Sequence, residues 1–205
     1  MSENLQNQQK REGIIFFLAF IATIFLANWF IRNIGTECHV DVCLIPMWPT
    51  FGIGDGMVPS GVLWAGLALT LRDLVQRRLG FWWAWVAVAV GAGLSAILDP
   101  RLALASAGAF FIAETLDLFV YTPLQARNLF WAVLASNFVG LVVDSFVFLS
   151  LAGLPLAFAE GQIVGKLWMT AIAFPLIFWV RSRDEKRGMK PVADVPKFLQ
   201  WGNAS

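Results

Sequence analysis

Three carboxylates stand where a bilayer would penalise them. Glu114, Asp117 and Asp144 lie among Phe, Val, Leu and Ala. A charged side chain at the centre of a membrane helix costs from about 2.5 kcal/mol upward, so such groups face a protein interior or a solvated cavity and mark a substrate or ion path. Glu114, Asp117 and Tyr121 are spaced three and four residues apart, which puts them on one face of an α-helix. Asn137, Gly140 and Asp144 repeat that spacing on the next apolar segment. Two polar stripes looking at each other across a buried site are the expected consequence.

Enzyme chemistry has little to work with. His39 is the sole histidine, and the chain carries no His-Glu-x-x-His helix, no Gly-x-Ser-x-Gly turn and no phosphate-cradling glycine loop. An intramembrane hydrolase using Asp117 and Asp144 as a proton-sharing dyad would need the two carboxyls in contact and a water channel, and is the less favoured reading. No cofactor is expected. Without a nucleotide-binding motif, active transport would draw on a gradient or on a separate ATPase.

The elements that must hold these stripes follow from composition. The 205 residues are 58% hydrophobic and 14% charged, against about 25% charged for a soluble domain, and the mean hydropathy is +0.67. An all-α integral membrane protein, a bundle of six transmembrane helices, fits this length at roughly 20 residues per span. The net charge of +1 gives no reason to expect a nucleic-acid partner; the lipid bilayer is the expected one. The spans are read as residues 13–31, 59–71 with Pro59 in the first helical turn, 81–98, 102–121, about 128–151, and 163–180. Arg72, Asp73, Arg77 and Arg78 are read as crowding a connection, and Asp99-Pro100 and Thr122-Pro123 as stops.

Lysines and arginines split twelve to two between alternate sides when Lys166, within the sixth span, is set aside. That asymmetry predicts both termini in the cytoplasm. The expected organisation is a cytoplasmic tail over 1–12, a transmembrane domain over 13–180 with an outer loop over 32–57, and a cytoplasmic tail over 181–205. On the outer side Cys38 and Cys43 flank His39 and Asp41. A small disulfide loop or two unpaired thiols is preferred there. A metal site from Glu37, Cys38, His39, Asp41 and Cys43 is the alternative, weak because no distant second ligand pair follows. Small residues at Gly61, Ala65, Gly91, Ala105, Ala109, Ser136 and Gly140 suit close helix approach, and such faces on several helices leave room for a homodimer. Most tryptophans are expected at the membrane interfaces, with Trp64, Trp131 and Trp168 as candidates for facing inward.

The run Glu114-Thr115-Leu116-Asp117-Leu118-Phe119-Val120-Tyr121, then Arg127-Asn128, then Ser136-Asn137 and Val143-Asp144-Ser145-Phe146-Val147-Phe148, resembles the queuosine-precursor transporter family, formerly named as vitamin-uptake-like transporters. Ala113 stands where that family has a serine. Leu71-Arg72-Asp73-Leu74 through Gly80, and Lys166 followed by Pro175, are similar to further family positions. The resemblance covers about residues 59–179 and leaves out the cysteine loop and both tails.

The resemblance implies uptake of 7-deazaguanine bases across the cytoplasmic (inner) membrane. A ring N–H beside an exocyclic amine is a bidentate partner for one carboxylate, which makes Asp117 or Glu114 the candidate clamp, between the fourth and fifth helices and beside Tyr121. Asn137 is the candidate donor to the carbonyl edge, with Trp131 or Phe138 over the ring face. Asp144 and Lys166 are candidates for a buried ion pair bordering the site, and Arg127 for a cap on its cytoplasmic side. Arg72 and Asp73 are read as a local pair marking topology. A substrate-binding membrane subunit that works with a separate ATPase is the alternative of the same chemistry.

Overall fold

The computed structural model describes residues 3–38, 42–52, 56–98, 103–125, 127–153 and 155–192. Six helices follow one another: α1 (Glu3–Asn33), α2 (Val62–Leu79), α3 (Phe81–Leu98), α4 (Ala103–Leu124), α5 (Leu129–Ala152) and α6 (Phe158–Arg187). Between α1 and α2 lie three short strands, β1 (Glu37–Cys38), β2 (Cys43–Pro46) and β3 (Met57–Pro59), paired antiparallel in that order. Among the described residues, five helices are long and apolar enough to cross a membrane. The exception is α2, disqualified by Arg72, Asp73, Arg77 and Arg78.

α2 carries those charges because it is the innermost element. Every residue from Ala68 to Arg78 is buried, and all five other helices touch it. A helix buried on all sides belongs in a core, and here it carries Arg72, Asp73, Gln76, Arg77 and Arg78 into that core beside Leu71, Leu74 and Val75. The sequence expectation that these charges sit in an exposed connection is therefore corrected: the helix continues to Leu79, and partners on α1, α4 and α6 neutralise its charges. Pro59 ends β3 and does not open the helix.

Other boundaries shift for similar reasons. The polar stretch expected as a tail is helical from Glu3, with Gln9 and Glu12 buried. Gln9 donates to the Lys190 carbonyl at 3.0 Å. α6 runs seven residues past the expected end at Val180, to Arg187, and closes on Gly188 in the left-handed conformation (φ 65°) that glycine adopts without strain. Pro123 stays within α4, whose turn carries on through the bond from Gln125 N–H to the Tyr121 carbonyl. α5 opens on Asn128, whose side chain accepts from the Phe130 and Trp131 amides. The expected outer loop holds the sheet, and Cys38 and Cys43 are joined in a disulfide. That removes both thiolates from the alternative metal site; His39 and Asp41 lie outside the described residues, as do Asp99, Pro100, Arg101 and 193–205 of the expected C-terminal tail.

The small residues are spent inside the bundle. A Cβ on Gly66 would stand 2.8 Å from the Lys166 Cα, and one on Gly140 3.1 Å from Asp117 Oδ1, so α6 and α4 approach at those points only because no side chain intervenes.

The helices alternate between two unlike ends. At one, the start of α1 meets the ends of α2 and α6: Arg78 bridges Glu12 (2.9 Å) and Asp184 (2.6 Å), Arg77 reaches Asp184 (2.6 Å), and Arg183 reaches Glu12 (2.9 Å). At the other, the sheet packs against the starts of α2 and α6, with Phe51 N–H donating to Glu160 and Trp168 Nε1 donating to the Trp48 carbonyl at 2.6 Å. We call these the charged end and the sheet end. Asp184 serves two buried guanidiniums, so Asp184→Ala leaves both short of a partner. It is expected to cost about 3–5 kcal/mol, read as a lowered unfolding midpoint of the purified protein in detergent; an unchanged midpoint would mean that the network does not hold this end together.

Candidate functional site

Two polar assemblies lie inside the bundle. The deeper one centres on Arg72 of α2. Its Nε is 2.6 Å from Glu114 Oε2, its Nη1 is 2.9 Å from Asp73 Oδ1, and its Nη2 binds Asp117 Oδ2. All four side chains are shut off from solvent. Ser136 of α5 donates to Asp73 Oδ2 at 3.0 Å. The guanidinium is planar and can satisfy carboxylates from several directions at once, which a lysine in its place would not. Burying an ion costs several kcal/mol unless its partners are well placed, and here one cation answers three acids.

Beside this cluster, Asn137 Nδ2 donates to Thr70 Oγ1 at 2.7 Å and to Thr170 Oγ1 at 3.4 Å. Its Oδ1 has no hydrogen-bond partner among the described residues, and neither has the buried Tyr121 hydroxyl. The second assembly lies nearer the sheet end. Lys166 Nζ of α6 is 2.6 Å from Asp144 Oδ2 of α5 and donates to Ser145 Oγ at 2.9 Å and Gln162 Oε1 at 3.3 Å.

Asp144, Gln162 and Lys166 line an open cleft of about 160 Å³ with Asn28, Trp64 and Phe110. A cavity of about 150 Å³ suffices for one benzene ring, so the size class is a small flat molecule that also uses the open side. Apolar walls with a few convergent polar groups are the usual make-up of a small-molecule site. Trp64 adds an indole N–H that is buried and has no hydrogen-bond partner among the described residues.

The residues singled out from sequence divide between these places. Glu114, Asp117 and Tyr121 meet Arg72 and Asp73 in the deep cluster, with Asn137 alongside; Asp144 and Lys166 border the cleft as an ion pair. Neither Glu114 nor Asp117 lines the cleft; each is shut off from solvent and gives one oxygen to Arg72, its other oxygen having no hydrogen-bond partner among the described residues. Trp131 and Phe138 are 60% and 53% exposed, so neither covers an interior ring: their helix turns that face outward. Arg127 lines a hollow at the charged end with Arg77 and Asp184, away from the cleft. Sequence reasoning missed Gln162, although it sits four residues before Lys166 and so shares its helix face. It also read Arg72 as a topology marker, because nothing local shows that the acids of α4 reach across to it.

A family described as "Putative vitamin uptake transporter" matches residues 62–180. The chain belongs to that family. The match starts on the first residue of α2 and ends within α6. It thus takes in Arg72, Glu114, Asp117, Asp144 and Lys166, and leaves α1 and the sheet outside. No curated protein and no solved structure matches the chain. Family and apolar helices together make it a multi-pass membrane protein of a transporter family.

Removing the cation should harm the fold more than removing one acid. Arg72→Met is expected to destabilise by about 3–5 kcal/mol, because it strands several buried carboxylates, and Glu114→Gln by clearly less. Thermal unfolding of both variants in the same detergent checks the order; equal losses would contradict a cluster with surplus acid.

Proposed function

We propose that this transporter imports 7-deazaguanine precursors of queuosine through the cleft beside Asp144 and Lys166. The observation that carries the reading is the position of the cleft: its lining comes from the sheet-end halves of the helices, while buried ion pairs close the charged end. Lysine and arginine counting puts the charged end in the cytoplasm, and a disulfide at the sheet end suits the oxidising outer side. A cleft open outward and shut inward receives substrate from outside. We accordingly infer six spans, with both termini cytoplasmic, in the cytoplasmic membrane.

The ligand chemistry comes from the lining. Asp144 keeps 22% of its side chain exposed and spends Oδ2 on Lys166. A carboxylate has about four lone-pair sites, so it can hold Lys166 and still accept the ring N–H and exocyclic amine of a guanine-like edge. The Gln162 amide N–H2, whose Oε1 already accepts from Lys166, supplies donors for the carbonyl on the same edge. Trp64 provides a face for stacking or an indole N–H for a ring acceptor. An adenine-like edge offers an acceptor where Asp144 needs a donor and would be rejected. The motif resemblance in α4 and α5 supports the same substrate class, with the binding groups moved from the Glu114 and Asp117 pair to the Asp144 end of that stripe.

7-Deazaguanine is expected to raise the unfolding midpoint of the purified protein, and adenine to leave it unmoved. Asp144→Asn and Gln162→Leu should each weaken that stabilisation at least about tenfold in ligand concentration, equivalent to about 1.4 kcal/mol. Equal stabilisation by adenine would remove the edge-recognition argument. Uptake of labelled 7-deazaguanine into liposomes holding the protein alone, without ATP, separates a self-sufficient transporter from a subunit that needs an ATPase.

A further inference from the structure

The deep cluster has more acid than its surroundings can hold ionised. Asp73, Glu114 and Asp117 face one cation, Arg72, and all are shut off from solvent. Fully ionised, the four groups would carry a net charge of −2 at the core of an apolar bundle. Among the described residues, no other charge compensates it locally. On α2 the remaining arginines, Arg77 and Arg78, are engaged at the charged end by Asp184 and Glu12. On α4 the neighbour is the neutral Tyr121. On α5 they are Ser136, Asn137 and Asp144, and on α6 Thr170 and Lys166, whose charge is matched by Asp144. An unpaired buried charge is avoided by taking up a proton.

The unsatisfied oxygens point the same way. Glu114 Oε1 and Asp117 Oδ1 are buried within the cluster and accept no hydrogen bond from the described residues, and an ionised oxygen left so in a dry site gains by carrying a proton. The Tyr121 hydroxyl, four residues on from Asp117 and so on the same face of α4, is likewise buried with no partner among the described residues.

The cluster is also connected to the cleft. Asp144, on the cleft wall, is near enough for its charge to act on Glu114. Thr70, Asn137 and Thr170 form a hydrogen-bonded polar bridge between α2, α5 and α6, and Thr170 donates to the Lys166 carbonyl at 3.1 Å.

We propose that the Arg72, Asp73, Glu114 and Asp117 cluster holds an exchangeable proton that couples substrate import to the proton gradient. Only O–H bonds form and break: a carboxylate oxygen takes a proton while the bundle is open at the sheet end and gives it up once the charged end opens. This deepens the transporter reading and rests on it for the flux, but the stored proton itself is independent of which substrate is carried.

Infrared difference spectroscopy of the full-length protein at neutral pH tests the proton directly. A protonated-carboxyl band is expected, lost or diminished in Asp73→Asn, Glu114→Gln or Asp117→Asn. Its absence from the unsubstituted protein would overturn the proposal, whatever the variants do. In proteoliposomes, accumulation of labelled 7-deazaguanine should rise about tenfold per unit of pH difference for one proton per neutral molecule. In Glu114→Gln, exchange of labelled for unlabelled base should survive while gradient-driven accumulation is lost. Accumulation that follows a sodium gradient and ignores pH would also overturn the coupling. If 7-deazaguanine neither binds nor moves, the substrate reading fails, and the infrared band still decides the proton.

Discussion

One guanidinium facing three carboxylates sets the architecture. Arg72 cannot be placed against lipid, and the acids cannot be left without it, so the helix that carries it must be enclosed on every side. That is the role of α2, sheathed by all five other helices from Ala68 to Arg78. The outer helices can then be almost uniformly apolar on their lipid-facing sides, because the polar chemistry they contribute points at α2. Glu114 and Asp117 from α4 and Ser136 from α5 are held by what α2 presents to them. Gly140 permits the closeness: a methyl group there would stand 3.1 Å from Asp117 Oδ1.

The two ends of the bundle differ in what holds them. The charged end is tied by Arg77, Arg78 and Arg183 to Asp184 and Glu12, charges supplied by the helix segments that extend beyond the apolar spans. The sheet end is covered by short strands and a disulfide, with the cleft beneath. Ion pairs of that kind hold firmly while dry and weaken once water reaches them, so an end closed by them is one that wetting can open. The apolar middle does not change its packing so readily, since close-packed interiors resist continuous deformation. The asymmetry therefore gives the fold an open cleft at one end and, at the other, a closure that wetting can loosen.

Much of this was legible along the chain, and the limits have a physical pattern. Helix spacing put Glu114, Asp117 and Tyr121 on one face, and a positive side chain at Lys166 within an apolar run required an acid near it, which Asp144 provides. The span from Phe81 to Leu98 follows Gly80, and its ends match. What failed was local reading of charge. Arg72, Arg77 and Arg78 look like a cytoplasmic connection because hydropathy sums a window and cannot see neutralising partners 42 to 107 residues away. The same blindness made residues 1–12 look like a tail when Glu12 belongs to the Arg78 network. Aromatic side chains were the other weak point: a Trp at Trp64 or Trp131 is equally consistent with a cleft or a lipid face, and only the rotation of the helix distinguishes them.

Separating the acidic cluster from the cleft has a mechanistic consequence. A ligand at Glu114 or Asp117 would have to enter a site shut off from solvent and compete with the Arg72 guanidinium, 2.6 Å from Glu114, at a desolvation cost that few small molecules could offset. A ligand at Asp144 avoids that conflict, because it touches a carboxylate that is partly exposed and whose partner Lys166 has other acceptors in Ser145 and Gln162. It can still influence the cluster, since drawing on Asp144 alters the field at Glu114 and the Thr70, Asn137 and Thr170 bridge joins the helices involved. Under the proposed coupling, binding and proton occupancy are linked reciprocally: whatever change in ligand affinity the proton brings to the cleft, the ligand brings to the proton affinity of the cluster.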